Sequence, residues 1–229
     1  MCGRYTLTAD ADSIQLAFNL ASTDGYEMPR YNIAPSQQVA VITDRDPQAL
    51  SFMKWGLVPS WAKDPKIGNR MINARSETAA EKPSFRTAFK RRRCLIPADG
   101  YYEWQKQGKK KIPSYIQHAE REVFAFAGLW ESWKRPDESW LHSCAILTTE
   151  ANEKLRSIHH RMAVIIEPED YDLWLAPREL VADEWLPLML GPRPEQLTFH
   201  EVSTDVNSPA NDNPTLVLPY QPKSQQNLI

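Results

Sequence analysis

The sequence predicts one α+β domain, a mostly antiparallel and barrel-like β core with short flanking helices, and three observations carry that expectation. Residues 94–149 hold five segments with strand character, separated only by short turns. Apolar residues at helical spacing occur only in short runs, so the helices are expected to be short and peripheral. Proline is frequent (18) and glycine scarce (8), which fits many short elements joined by rigid turns. A chain of 229 residues can bury a substantial core, and no linker or internal period divides it. The domain is placed at residues 1–222, with 223–229 a flexible C-terminal tail.

In chain order, Thr8 can cap a short helix whose Ile14, Ala17 and Phe18 share one face. A loop over 29–35 leads to strands at 39–43 and 50–55. Residues 56–73 read as irregular, with Gly56, Pro59 and Pro65 as breakers. Phe85, Ala88 and Phe89 mark a second helix ending in the basic run 90–93. Strands follow at 94–96, 101–105, 114–117, 123–130 and 140–149, with Gln107-Gly108 a hairpin turn between the second and third. Residues 150–158 read as a helix, 162–166 as a buried strand and 169–175 as a further helix.

Composition narrows the function classes. A formal net charge of −2 excludes a bulk polycation, so any nucleic-acid contact must come from a local patch. No apolar run approaches the roughly 20 residues of a membrane helix, so no membrane partner is expected. The first residues have no basic segment leading into an apolar one, so secretion is not expected and the location is read as cytoplasmic, at the nucleoid or in the nucleus according to the cell. Cys2, Cys94 and Cys144 form no CxxC pair, which argues against a disulfide scaffold and a structural zinc site and fits a reducing compartment. Neither metal nor cofactor is expected.

Four residues are candidates for chemistry. A small second residue permits removal of Met1, which would leave Cys2 with an amine and a thiol that together trap an aldehyde as a five-membered thiazolidine. His159 and His160 precede Arg161 at a helix-to-strand junction; histidine suits proton transfer near neutrality, and at most one of two neighbours faces a site. Glu103 lies among aromatics in Gly100-Tyr101-Tyr102-Glu103-Trp104, where an apolar setting would raise its pKa; strand alternation puts it on one face with Tyr101. Asn73-Ala74-Arg75 would present Asn73 and Arg75 to a common face, an amide to orient a nucleophile and a guanidinium for phosphate. Arg75 and Glu77 read equally well as an ion pair. Arg4, Arg70, Arg75 and the run 90–93, beside Trp55, Trp61 and Tyr101 as exposed aromatics, would suit single-stranded DNA, whereas 109–111 reads as a solvated face. Cys94, among apolar neighbours, reads as a buried structural thiol.

These pieces occur in a recognisable order. Met1-Cys2-Gly3-Arg4-Tyr5, Arg30-Tyr31-Asn32-Ile33-Ala34-Pro35, Trp55-Gly56-Leu57-Val58-Pro59-Ser60-Trp61, Asn73-Ala74-Arg75-Ser76-Glu77-Thr78, Arg92-Arg93-Cys94-Leu95-Ile96-Pro97-Ala98-Asp99-Gly100-Tyr101-Tyr102-Glu103-Trp104, His159-His160-Arg161-Met162 and Val206-Asn207-Ser208-Pro209 span nearly the whole chain. They resemble the SRAP family (SOS response-associated peptidase), whose members crosslink to abasic sites in single-stranded DNA. The resemblance implies that Cys2 is the nucleophile, that Asn73 orients its amine, that Glu103 is the acid–base carboxylate and that His159 assists proton transfer at the imine. It implies DNA-backbone contacts at Arg4 and Arg75, with Arg70 a further basic contact and Trp61 a wedge or stacking group. Ala163 stands where many relatives carry proline, a departure beside His159. The resemblance implies a covalent sensor and shield of abasic sites that acts as a monomer. A thiol autopeptidase and a non-covalent single-strand binding module are the rival readings.

Overall fold

The computed structural model describes residues 2–27 and 29–221. The tail placed at 223–229 lies outside the described residues.

The strands are β1 (Tyr5–Leu7), β2 (Arg30–Ile33), β3 (Gln38–Thr43), β4 (Asp46–Trp55), β5 (Asn73–Arg75), β6 (Arg93–Ala98), β7 (Gly100–Gln107), β8 (Lys110–His118), β9 (Phe124–Lys134), β10 (Trp140–Glu150), β11 (Arg161–Ala163), β12 (Ile165–Ile166) and β13 (Leu197–Glu201). Five short helices flank them: α1 (Ala11–Phe18), α2 (Ser76–Ala79), α3 (Arg86–Arg91), α4 (Tyr171–Trp174) and α5 (Ala182–Leu188). One sheet has the order β13-β8-β7-β1-β2. The other runs β11-β10-β4-β3-β6-β9-β12, and β9 also pairs with β10, so β10, β4, β3, β6 and β9 close on themselves as a barrel. Closure leaves these strands without a free edge and gives them a common interior. The α+β architecture with a largely antiparallel barrel-like core is as expected from sequence; the parallel pairs are β10 with β4 and β10 with β5.

The barrel strands β6, β9 and β10 are buried on both faces over much of their length. Ile96, Phe124, Phe126, Leu129, Ile146 and Leu147 are fully or almost fully buried within the larger cluster. A second cluster of Tyr102, Tyr115, Val202, Val206 and Leu216 lies against the smaller sheet. Tyr101 belongs to the first cluster and Tyr102 to the second, as the period-two side-chain direction of β7 requires. Gly100 allows this crossing, because a Cβ there would come within 2.2 Å of the Tyr115 hydroxyl. Gly56 has φ +128° and faces the carbonyl of Gly68 so closely that an added Cβ would lie 2.6 Å from it.

Several local expectations are corrected. Asp10, not Thr8, caps α1, its carboxylate accepting from the Ser13 N–H at 2.7 Å; Thr8 instead donates its hydroxyl to Asp99 at 2.7 Å. The loop expected over 29–35 contains β2. Residues 150–158 form no α-helix: β10 continues to Glu150, and Leu155–Ser157 is a single 3-10 turn. The strand expected over 162–166 is broken at Val164 into β11 and β12, which pair with β10 and β9 respectively. Trp55 and Tyr101 are fully buried, so they offer no stacking surface. The run 90–93 is largely structural: Arg93 is buried and donates to the carbonyls of Phe89, Lys90, Trp174, Ala176 and Arg178, Arg92 pairs with Glu131 and Lys90 with Glu179.

Candidate active site and nucleic-acid interface

The amino-terminal segment is fixed by what surrounds β1. The strand lies between β7 and β2, pairing Tyr5 with Tyr101 and with Ile33. Asp99, at the corner between β6 and β7, accepts from the Thr6 hydroxyl, from the Thr8 N–H and hydroxyl, and from the Ala9 N–H at 3.1 Å. Upstream of β1, the Arg4 carbonyl accepts from the Tyr102 N–H at 2.9 Å. These bonds hold Cys2 in the interior, with no exposed surface.

Asn73, the first residue of β5, reaches Cys2 directly: its Nδ2 donates to the Cys2 carbonyl at 2.8 Å. Its Oδ1 is buried and accepts no hydrogen bond. A buried amide oxygen without a donor is costly, and so marks a place where a donor is expected.

Glu103 is 4% exposed on the face of β7 that also carries Tyr101. Burial pushes its carboxyl above the ordinary carboxylate range. The same burial, reinforced by the nearby Glu103, pushes the Cys2 thiol far above the ordinary cysteine value. The thiol therefore rests protonated, and its reactions require a base beside it. Cys94 and Cys144 are likewise fully buried with raised pKa values, consistent with inert structural thiols.

His159 stands two residues before β11. Its Nδ1 lies 3.0 Å from the Arg161 N and 3.2 Å from the Arg161 carbonyl oxygen; the shorter contact, in which Nδ1 accepts the N–H, goes with the proton of the neutral ring on Nε2. Burial lowers its pKa, so the neutral ring dominates near neutrality. Its ring packs at 4.3 Å from that of His160, but the two point to different clefts. A cleft of about 600 Å³ is lined by Arg4, Glu103, Trp104, Lys106, Lys111, His159 and Asn207. A second, of about 440 Å³, is lined by Arg75, Glu150, Arg156, His160 and Arg161. His159 thus lines the cleft that Glu103 lines, while His160 lines the other cleft and still lies near enough to act electrostatically on Glu103.

The structure thus brings Cys2, Asn73, Glu103 and His159 to one locality, while the DNA-contact candidates are spread over three clefts. Arg4 lines the Glu103 cleft, but its guanidinium donates to Asn32 Oδ1 (2.8 Å) and to the carbonyls of Val206 (2.8 Å) and Asn207 (3.3 Å). Arg75 is exposed and does not pair with Glu77, whose carboxylate is taken by Arg161. Trp61, 58% exposed, shares a third cleft with Lys63, Lys66 and Arg70. Lys109–Lys111 are exposed, as read from sequence, and Lys111 also lines the Glu103 cleft beside Lys106, its cross-strand partner in the β7–β8 hairpin. The hairpin turn, expected at 107–108 and found one residue on at 108–109, is the signal that could have placed them there. Asp99 and Asn32 were missed as well; their roles are long-range hydrogen bonds that no local spacing announces. Among the described residues no group of three or more His, Cys, Asp or Glu side chains is placed to hold a metal ion, and no helix is long and apolar enough to cross a membrane.

The fold is a barrel-cored α+β domain whose buried Cys2 lies beside a buried carboxylate and an amide, with an imidazole lining the adjoining cleft. The chain belongs to the SOS response associated peptidase (SRAP) family, whose pattern matches residues 1–209. It is 43% identical to abasic site processing protein YoqW of Bacillus subtilis over 221 residues, 95% of this chain and 99% of the relative. It is 34% identical to abasic site processing protein HMCES of Gallus gallus over 266 aligned positions, covering 96% of this chain and 78% of the relative. Among solved structures, a protein of Bacteroides thetaiotaomicron superposes with a TM-score of 0.87 at 26% identity, over 96% of this chain and all of that one.

Proposed function

We propose that this protein captures abasic sites in single-stranded DNA by forming a thiazolidine crosslink through Cys2 after Met1 is removed. The observation that carries the reading is the convergence on Cys2 of Asn73, bonded to its carbonyl, and Glu103, close enough to raise its thiol pKa, with His159 lining the cleft that Glu103 opens into. Relatives named abasic site processing proteins support this reading.

The α-amine of Cys2 attacks C1′ of the ring-opened sugar aldehyde, and the carbinolamine loses water to give an imine. Sγ then adds to C1′ while the thiol proton passes, through a neighbouring base, to the imine nitrogen. The net change joins amine, thiol and aldehyde and releases one water. Asn73 Oδ1, buried and without a donor, is suited to accept from the new amine. Glu103, with its raised pKa, is suited to give a proton to the departing hydroxyl and take one from the thiol. His159 offers Nε2–H to an oxygen in the cleft. The imine also permits β-elimination and strand cleavage, so a weak lyase side reaction is expected, which ring closure suppresses.

The test is to incubate protein lacking Met1 with single-stranded DNA containing one abasic site and to look for an adduct that survives denaturant. The wild type is expected to form it and Cys2→Ala to form none; an equal yield from both sinks the proposal. A tag left ahead of Cys2 should also abolish it, because the amine would be acylated. Salt-sensitive binding to intact and abasic DNA alike, with no covalent product, would favour a non-covalent module. Failure to lose Met1 only when the active site is mutated, read by mass spectrometry, would favour autopeptidase activity.

A further inference from the structure

Arg161 and Glu77 carry no reactive role above, yet they form a closely bonded ion pair beside the site. The Arg161 side chain is 7% exposed and crosses the end of β10. Its Nη1 and Nη2 donate to the two carboxylate oxygens of Glu77 at 2.5 and 2.9 Å, and Nη2 also to the carbonyl of Thr148 at 2.5 Å. The register explains the reach. Thr148 of β10 faces Ala163 of β11 on one side and Arg75 of β5 on the other. Arg161 opens β11, just after His159, and Glu77 follows β5, which opens with Asn73. One ion pair therefore ties together the two segments that deliver Asn73 and His159.

Arg161 also acts on His159 through its backbone. Its N–H donates to His159 Nδ1 at 3.0 Å, and its carbonyl lies 3.2 Å from the same nitrogen. Both groups are within reach of Nδ1: the shorter N–H contact favours the proton on Nε2, whereas a closer approach of the carbonyl would favour it on Nδ1.

We propose that Glu77 and Arg161 form a positioning clamp, which spaces the Asn73 and His159 segments across β10 and keeps the His159 proton on Nε2. The terminal nitrogens of Arg161 are engaged by Glu77 and Thr148, so its guanidinium is fixed in place by the protein. The assignment rests on the crosslinking reading for its effect on rate, but its structural half can be read without it.

The experiment takes the mature protein, labelled with 15N, and determines the His159 tautomer from long-range 1H–15N correlations. It then measures the single-turnover rate of adduct formation on abasic single-stranded DNA and the affinity for intact DNA of the same sequence, for wild type, Glu77→Gln and Glu77→Asp. Glu77 has a side chain 45% exposed, so both variants leave the core intact. Wild-type His159 is expected as Nε2–H. Glu77→Gln should slow adduct formation about ten- to a hundredfold, the scale of a small displacement of a reacting group, without weakening binding to intact DNA. Glu77→Asp, which keeps the charge, should recover part of the rate. An Nδ1–H tautomer in the wild type overturns the clamp, as does a Glu77→Gln variant that reacts at the wild-type rate. A matching change in intact-DNA affinity would overturn it too, by making Arg161 a DNA contact. A wild type that forms no adduct would refute the crosslinking reading, and the tautomer would still decide the clamp.

Discussion

Glu103 is placed by β7 on an apolar face with Tyr101, and its carboxyl is thereby held above the usual carboxylate range. That has a thermodynamic consequence as well as a catalytic one. Between its unfolded and folded pKa values the folded state binds more protons than the unfolded state, so this group's contribution to stability falls as pH rises through that interval. Above the folded value the full cost of a buried carboxylate is present; below the ordinary value of about 4.3 both states are protonated and the cost disappears. Glu103→Gln removes the charge while keeping the shape. It should melt at a higher temperature than the wild type at about pH 8, and the advantage should vanish toward pH 4. In the adduct assay the same variant should be slower by about 10²–10⁴, the usual worth of a positioned acid–base group. A variant that is no more stable at alkaline pH would contradict the burial argument, whatever its activity. Cys2 has the matching problem: its thiol is raised by the same burial, so the thiol and the carboxyl share a proton economy that neither would show in water.

At the level of elements, the decisive structure is the corner between β6 and β7. Asp99 gathers donors from Thr6, Thr8 and Ala9 and so sets where β1, and with it Cys2, can lie. Replacing it by alanine would leave buried N–H and O–H groups without an acceptor, at about 1–3 kcal/mol for each lost partner. Asp99→Ala should therefore lower the melting temperature and also reduce adduct formation, because the same bonds position the nucleophile. Chemical denaturation and the adduct assay, run on the same preparation, check both. A variant destabilised yet fully reactive at low temperature would show that β1 is held by its strand pairing alone. This corner also shows what sequence can and cannot convey. Long strands such as β9 and β10 were legible because an apolar, buried run persists over many residues. β1, β2 and β5 were not, since three or four residues carry no measurable period and their pairing is decided by distant partners. The helix expected over 150–158 failed for a related reason: local propensity was overruled when β10 extended to Glu150 to pair with Arg161. Of the candidate site, Cys2, Asn73, Glu103 and His159 could be singled out through their motifs, whereas Glu77 and Arg161 meet across 84 positions and only the folded sheet joins them.

For the whole molecule, the question is how a chain of net charge −2 would engage a polyanion, as the proposed function requires. The folded distribution answers it by separating anchored cations from available ones. Arg93 and Arg161 are buried and bonded within the protein, and Arg4 spends its guanidinium on Asn32, Val206 and Asn207. Arg75, with Arg156, lines one open cleft; Arg70, Lys63 and Lys66 surround Trp61 in another. If a single strand follows these clefts, each of Arg70 and Arg75 neutralises one phosphate, and each alanine variant should lower the slope of log affinity against log salt by about 0.7. Trp61→Ala should behave differently. Losing a stacking platform weakens binding by about 1–3 kcal/mol while leaving the salt slope unchanged, because no counterion is released through the indole. Titrations of an intact single-stranded oligonucleotide at several salt concentrations separate the two signatures. A slope that falls for Trp61→Ala, or that stays constant for both arginine variants, would mean that the strand takes another route across the surface. The adducts should remain insensitive to salt once formed, since a covalent bond does not depend on the counterion atmosphere that brought the DNA to Cys2.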